Sequence, residues 1–457
     1  MPLSPPAEIF KAYDIRGTYP DQMDRDTAYQ IGRAYARVLA GLAGKRASEL
    51  RIGLGRDMRE QAPEMAGGYR GGMMAEGATV VDAGMVATEM LYWLVGAHRL
   101  DGGAMCTASH NPRSYTGVKL VKDGAIALSG DEGIQDIRGL LDNGMGEAPG
   151  GGAVEDVDIY GDFQTAALDL IDPEEVERRR VLADAAHGMA APMVGPLLDK
   201  LDLDLVTSNW AADGDFPDIG PNPLLEENRH EIIETARREK AELSIAWDGD
   251  ADRCFFIDED LEFVAGDFLT ALLADSILRK EPGTTILYDV RASHAVRDTV
   301  EAAGGTALVN RVGHAFFKTR MRDTGAVFGG EVSGHYYFRQ FYNADSGTLP
   351  ALLVLELLSV EGKTMGELLQ PYREKYFISG EINSEVDDQQ AKMDEIEERY
   401  SDAEQSDLDG ISIDYDDWHF NVRPSNTEPL LRLNLESLVS REHMEEKRDE
   451  VLALIRS

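Results

Sequence analysis

Residues 103–112 read GAMCTASHNP, an apolar run that ends in Thr107, Ala108 and Ser109 and is followed by His110, Asn111 and Pro112. Proline cannot continue a central strand, so the stretch reads as a strand whose end carries a polar group. Working outwards, RIGLGRD (51–57) and ATVVDAG (78–84) are strand-like runs separated by helical stretches. The order strand–helix–strand–helix–strand returns in VLADAAHG (181–188), LDLVTSN (203–209) and ELSIAWDGDADR (242–253). It returns again in TILYDVRAS (285–293), TALVNRVGH (306–314) and AVFGGEVSGH (326–335). The copies share a pattern and little identity. Three similar α/β domains with mixed sheets follow from this, plus a smaller α+β C-terminal domain. The expected divisions are 1–150, 151–257, 258–372 and 373–457, and the Gly- and acid-rich segment 142–156 reads as a linker.

In every copy the richest loop follows the third strand, where ligands of open α/β sheets gather. After Trp247 come Asp248, Asp250 and Asp252, with Gly249 and Ala251 between them. In an extended segment these three carboxylates share one face and repel unless a hard cation such as Mg²⁺ sits among them. An EF-hand is excluded, because Arg253 stands at the sixth loop position, where glycine is required. Ser109 is a weak nucleophile that needs a base or a pre-attached group. His110 adjoins it, but neighbours in an extended segment face opposite ways, so a direct Ser–His pair is not expected. Lys119, after a turn at Gly117, is placed to fold back over the tip. A phosphoryl group on Ser109 would complete a metal site with the three aspartates.

Arg423, Ser425, Asn426 and Thr427 offer a guanidinium fork, hydroxyls and an amide in one loop, the inventory that a phosphate requires. Glu331, Ser333 and His335 sit at alternating positions, suited to gripping sugar hydroxyls. Arg16, Lys119, Arg253, Arg291, His314, Lys318 and Arg423 all adjoin these loops. That local positive charge contrasts with the whole chain, whose net charge is −38 from 83 acidic and 45 basic residues, only 12 of the latter lysine. An acidic, lysine-poor surface stays hydrated at multimolar salt, where repulsion is screened within about 3 Å, so a halophilic source is expected. Such a field disfavours nucleic acid and anionic membranes as partners. Two cysteines, Cys106 and Cys254, read as core residues in a reducing cytoplasm. The N-terminus shows no signal peptide, and no apolar run is long enough to span a bilayer.

The motifs TASHNP (107–112), DGDADR (248–253), GEVSGH (330–335) and RPSNTEP (423–429), in that order, resemble the α-D-phosphohexomutase superfamily, and KAYDIRG (11–17) is similar to its N-terminal signature. GEVSGH and SNTEP look like the phosphomannomutase/phosphoglucomutase group; phosphoglucosamine mutases usually show a glutamine in the third loop and a glycine in place of Asn426. The resemblance covers the whole chain and implies a heart-shaped, four-domain enzyme around a central cleft. It implies that Ser109 is the phosphoserine, that Ser109, Asp248, Asp250 and Asp252 hold Mg²⁺, and that Glu331 and Ser333 read the sugar's 3- and 4-hydroxyls. Arg423, Ser425, Asn426 and Thr427 would bind the non-transferring phosphate, and Tyr13, Arg16, Lys119, Arg253, His314 and His335 would line the transfer site. Arg291 stands where relatives commonly carry lysine.

The implied reaction moves phosphate between C1 and C6 of a mannose or glucose phosphate through a hexose 1,6-bisphosphate, which also serves as activator. Lys119 or His335 would carry the proton. The expected partner is a small sugar phosphate, and the expected assembly a monomer or homodimer. Two rivals stand beside this: phosphoglucosamine mutase, and a Mg²⁺-dependent sugar phosphatase, because DGDAD resembles an aspartyl-phosphate motif.

Overall fold

The first strand of each repeat lies in the middle of its sheet. Arg51–Arg56 runs parallel to both Thr79–Met85 and Gly102–Cys106. Arg179–Asp184 lies in the same way between Leu203–Ser208 and Leu243–Trp247, and Thr285–Asp289 between Thr306–Asn310 and Phe328–Gly330. Helices connect the strands, so the carboxyl ends of all three line one sheet edge in every copy. The third strand of the first two copies then turns back into an antiparallel partner, Tyr115–Lys122 and Cys254–Ile257 respectively, which makes those sheets mixed.

These coordinates are a computed structural model that describes residues 5–130, 132–217, 219–425 and 430–457. The chain divides into two compact units. One comprises residues up to Phe263 together with Ser333–Thr364; the other comprises Val264–Val332 and Met365–Ser457. Within the second unit the C-terminal region forms an antiparallel sheet in which Leu430–Ser437, Trp418–Pro424, Ile411–Asp414 and Glu404–Ser406 are successive neighbours. The helices Gln389–Arg399 and Arg441–Ile455 contribute Ile396 and Val451 to a core shared with Phe420 and Leu433. Ser440 caps the last helix by accepting from the His443 N–H.

One segment departs from expectation. Within 142–156, read as a linker, Ala153–Asp156 is a strand that pairs in parallel with Thr79–Met85. All four of its residues are exposed. An edge strand of this kind needs only backbone hydrogen bonds, so it leaves no apolar alternation to read. Both cysteines are buried and unpaired. Among the described residues no helix is long and apolar enough to cross a membrane.

The helices Arg25–Ala43 and Ala62–Ala75 approach through glycine. A methyl group on Gly72 would stand 2.0 Å from the Tyr29 carbonyl oxygen, and one on Gly32 would stand 2.3 Å from that of Tyr69. The neighbouring atoms are backbone and cannot swing aside. Gly72→Ala is therefore expected to cost at least about 1–3 kcal/mol, read as a lower denaturant midpoint against the parent protein.

Candidate active site

Ser109 lies three residues beyond the strand Gly102–Cys106, with φ 50° and 3 % exposure. That left-handed backbone changes the expected geometry. Ser109 and His110 do not face opposite ways: Ser109 Oγ lies 3.1 Å from His110 Nδ1. Its hydroxyl donates to Asp248 Oδ2 at 3.2 Å, and its backbone N–H donates to Thr107 Oγ1 at 2.8 Å. Burial, then the charges of Arg253 and Arg16, holds the His110 pKa well below its ordinary value, so the imidazole is neutral.

Arg59, which the sequence reading did not single out, holds this loop together. It is 2 % exposed and donates to the carbonyls of Ser109 (2.8 Å), Asn111 (2.6 Å), Pro112 (2.9 Å) and Tyr115 (3.3 Å), while its Nε reaches Asp57 Oδ2 at 3.3 Å. Arg16 grips the same loop through Ala108 O at 3.1 Å and through Asn111 Oδ1, and it also pairs with Asp14. Tyr13 lies nearby in sequence, half-buried.

Asp248, Asp250 and Asp252 are all buried, each with a carboxylate oxygen within 4.8 Å of the others. Strand alternation does not bring them together, because the strand ends at Trp247 and the following turn has Ala251 at φ 60°. Three like charges converge by curling rather than by sharing a pleated face. Gly249 permits the approach: a methyl group there would stand 2.7 Å from the Ser109 carbonyl oxygen. Lys119 is not reached through a turn at Gly117 either. Both belong to the strand Tyr115–Lys122, whose register sets Lys119 opposite Met105. From there Lys119 Nζ lies 2.7 Å from Asp250 Oδ2 and contacts Asp252. Arg253 closes a fork on Asp248 Oδ2 at 2.8 and 2.7 Å. His335 Nε2 stands 3.8 Å from Asp252 Oδ1, and its Nδ1 lies 2.9 Å from Ser333 Oγ.

Burial, joined by the Asp250 charge, pushes the Asp248 and Asp252 carboxyls up, and Arg253 opposes the rise at Asp248. Burial acts against the Asp250 charge as well, but Lys119 holds that carboxyl below its ordinary range. The protein's own cations thus fall short of neutralising three carboxylates. Asp250 Oδ1 and Asp252 Oδ1, both buried, accept no hydrogen bond from the described residues. An all-oxygen donor set with unpartnered oxygens fits a hard divalent ion such as Mg²⁺. Thr88, also absent from the sequence reading, orients the middle carboxylate: its hydroxyl donates to Asp250 Oδ2 at 2.5 Å and its N–H to Asp250 O at 3.2 Å. The next residue, Glu89, is fully buried and accepts from Ser346 Oγ, from Thr348 Oγ1 at 2.6 Å and from Thr348 N at 3.1 Å.

The other candidates lie in the second unit. Glu331 is 1 % exposed, and its Oε1 accepts from Gly313 N at 2.8 Å, just ahead of the helix His314–Thr324 that carries His314 and Lys318. Residues 331–334 form a turn with Gly334 at φ 87°, so Glu331, Ser333 and His335 do not share the face of an extended segment. Arg291 makes a two-pronged pair with Asp289 at 3.0 and 2.8 Å and reaches Glu381 Oε2 at 3.3 Å. Arg423 lies 3.6 Å from that same Oε2, and Arg432 lies 2.9 Å from Oε1. One carboxylate therefore serves three guanidinium groups, and Arg423 lies on the strand that leads to buried Ser425. Sequence reasoning missed Glu381 and Arg432, because charged residues around a distant loop carry no local signature. Asn426 and Thr427 lie outside the described residues.

Comparison with known proteins finds four family domains in order along the chain. The descriptions "Phosphoglucomutase/phosphomannomutase, alpha/beta/alpha domain" I, II and III match residues 7–145, 158–262 and 265–376, and the C-terminal domain of that family matches 381–454. A protein of Xanthomonas campestris pv. campestris named "Phosphohexose mutases" is 38 % identical over 453 residues, covering 98 % of this chain and 99 % of its own. A phosphomannomutase of Vibrio cholerae is 36 % identical over 456 residues, covering 98 % of each. The crystal structure of a phosphoglucomutase/phosphomannomutase family protein from Burkholderia thailandensis superposes with a TM-score of 0.89 at 29 % identity, over 98 % of this chain and 97 % of that one.

Two outcomes follow from Thr88 and Glu89. Thr88→Val is expected to raise the Mg²⁺ concentration for half-maximal binding about 10–100-fold, measured by calorimetry on the folded protein. Burial outweighs the three donors to Glu89 and pushes its carboxyl from an ordinary 4.5 to about 8. Between those values the folded chain keeps a proton that the unfolded chain releases. The contribution to stability is therefore full below about 4.5 and lost as pH rises through about 8. Glu89→Gln cannot ionise, so denaturant midpoints of the variant are expected to fall less steeply with pH across that window.

Proposed function

We propose, for a chain that belongs to the phosphoglucomutase/phosphomannomutase family and is a hexose-phosphate mutase, that it interconverts the 1- and 6-phosphates of mannose or glucose through phospho-Ser109 and a hexose 1,6-bisphosphate. The observation that carries this reading is Ser109 Oγ, buried and donating to Asp248 beside the unpartnered oxygens of Asp250 and Asp252. A serine placed against a cation site is where a phosphoryl group could both be held and be given away.

In the first half-reaction the free hydroxyl of the sugar monophosphate attacks the phosphorus on Ser109. The new O–P bond forms as the Ser109 Oγ–P bond breaks, and the hydroxyl proton passes to the enzyme. The second half-reaction reverses these steps at the other end of the turned bisphosphate, so Ser109 regains a phosphoryl group and its alkoxide charge is discharged. Held by Asp248, Asp250 and Asp252, Mg²⁺ would supply positive charge to the transferring group, which is most of what phosphoryl transfer requires. Arg253 and Lys119 add fixed charge at the same place. His110, neutral and 3.1 Å from Ser109 Oγ, fixes the direction of that oxygen. Arg16 and Arg59 hold the loop's carbonyls and amide so that the nucleophile does not drift. Glu331 with Ser333 would read sugar hydroxyls, Arg291, His314 and Lys318 would meet the ligand's polar groups, and Arg423 with Ser425, Asn426 and Thr427 would hold the phosphate that is not reacting. The proton carrier is Lys119 or His335.

The deciding experiment follows ³¹P NMR of the protein in Mg²⁺ and high KCl with a trace of hexose 1,6-bisphosphate. Glucose, mannose and glucosamine 1-phosphates go in separate tubes. Conversion to the 6-phosphate without free phosphate is expected for glucose or mannose, and release of inorganic phosphate would make the protein a phosphatase. Ser109→Ala is expected to abolish conversion and the added phosphoryl mass of the intact protein while leaving Mg²⁺ binding measurable. Of Lys119→Ala and His335→Ala, the variant that removes one limb of the pH–rate profile identifies the proton carrier.

A further inference from the structure

The C-terminal sheet carries a cluster for which the proposed reaction has no use. Strand register sets Asp414 opposite His419, and His419 opposite Glu436. Directly opposed residues share a face, so carboxylate, imidazole and carboxylate stand in a row across three strands about 4.8 Å apart. His294, the first residue of the helix His294–Ala302, lays its ring over His419 with 3.8 Å between centroids and 3° between planes. His294 Nε2 is 3.3 Å from Asp414 Oδ2, and His419 Nε2 is 3.2 Å from Glu436 Oε1. The backbone N–H of His294 donates to the same Oε1 at 3.1 Å.

Two observations point to a ligand. Glu436 is 1 % exposed, and its Oε2 accepts no hydrogen bond from the described residues, a costly state for a buried carboxylate oxygen. Donor atoms of His294, His419 and Glu436 also lie within 4.8 Å of one another. A mixed imidazole and carboxylate set suits borderline-soft ions, unlike the all-oxygen set of Asp248, Asp250 and Asp252.

We propose that His294, His419 and Glu436, with Asp414 beside them, bind a divalent transition-metal ion of the Zn²⁺ class. The rings are parallel, but their Nε2 atoms meet different carboxylates, so binding requires one imidazole to turn. Rotation about the soft Cβ–Cγ bond takes His294 Nε2 from Asp414 towards an ion shared with His419 Nε2 and Glu436 Oε2. Such an ion would tie the third repeat, which supplies His294, to the C-terminal sheet within the same unit.

Co²⁺ is the probe, a spectroscopic stand-in titrated into the full-length, tag-free protein with Mg²⁺ in excess. A single Co²⁺ with the visible absorption of four-coordinate geometry is expected in the parent protein and in Asp250→Asn. His294→Gln and His419→Gln are each expected to lose that absorption and to bind Co²⁺ at least about tenfold more weakly. Unchanged mutase activity in Mg²⁺ verifies that each histidine variant is folded, and Glu436→Gln serves if one of them is not. A parent protein without the absorption, or folded histidine variants that bind Co²⁺ as the parent does, would overturn the proposal and leave a hydrogen-bonded seam.

Discussion

Three carboxylates buried within reach of one another are the constraint on which the first unit depends. Asp248, Asp250 and Asp252 cannot all be charged in a dry interior without compensation. Lys119 and Arg253 supply part of it, each from a backbone position that the fold fixes: Lys119 from an antiparallel strand, Arg253 from the far end of the aspartate turn. The remaining deficit makes the place suited to a divalent cation and hence to a phosphoryl group. Ser109 is drawn into the same balance by its hydrogen bond to Asp248. The serine loop and the aspartate loop are therefore halves of one electrostatic arrangement, although more than a hundred residues separate them.

The second unit solves a related problem with the signs exchanged. Glu381 is shared among Arg291, Arg423 and Arg432, so one carboxylate steadies three guanidinium groups. Arg291 is further fixed by its planar fork on Asp289, a geometry that lysine cannot reproduce. A rigid, partly compensated set of guanidinium groups costs little reorganisation when an anion arrives.

The repeated α/β pattern was legible because apolar runs at regular spacing report buried strands, and the order of four motifs led to the family. The geometry inside the loops was not legible. Alternation along an extended chain placed the three aspartates correctly together for the wrong reason, and it wrongly parted Ser109 from His110. The cause is common to both: Ser109 and Ala251 adopt positive φ without being glycine, and nothing in their identity announces it. Arg59, Thr88 and Glu89 escaped notice for another reason. Each acts on partners far along the chain, while their immediate neighbours are those of an ordinary turn or helix start. Glu89 in particular looked like any acidic residue in a helix's first turn, yet it is fully buried.

The edge strand Ala153–Asp156 has a bearing on how the molecule behaves in a crowd. It ends the first sheet with an open row of backbone donors and acceptors, and such a row invites another sheet to dock. Here the strand is only four residues long, and Glu155 and Asp156 stand on it in solvent. Two copies meeting edge to edge would oppose carboxylate to carboxylate. The acidity that marks the whole chain thus acts at this position as a guard against self-templated aggregation, and it would weaken as salt screens it.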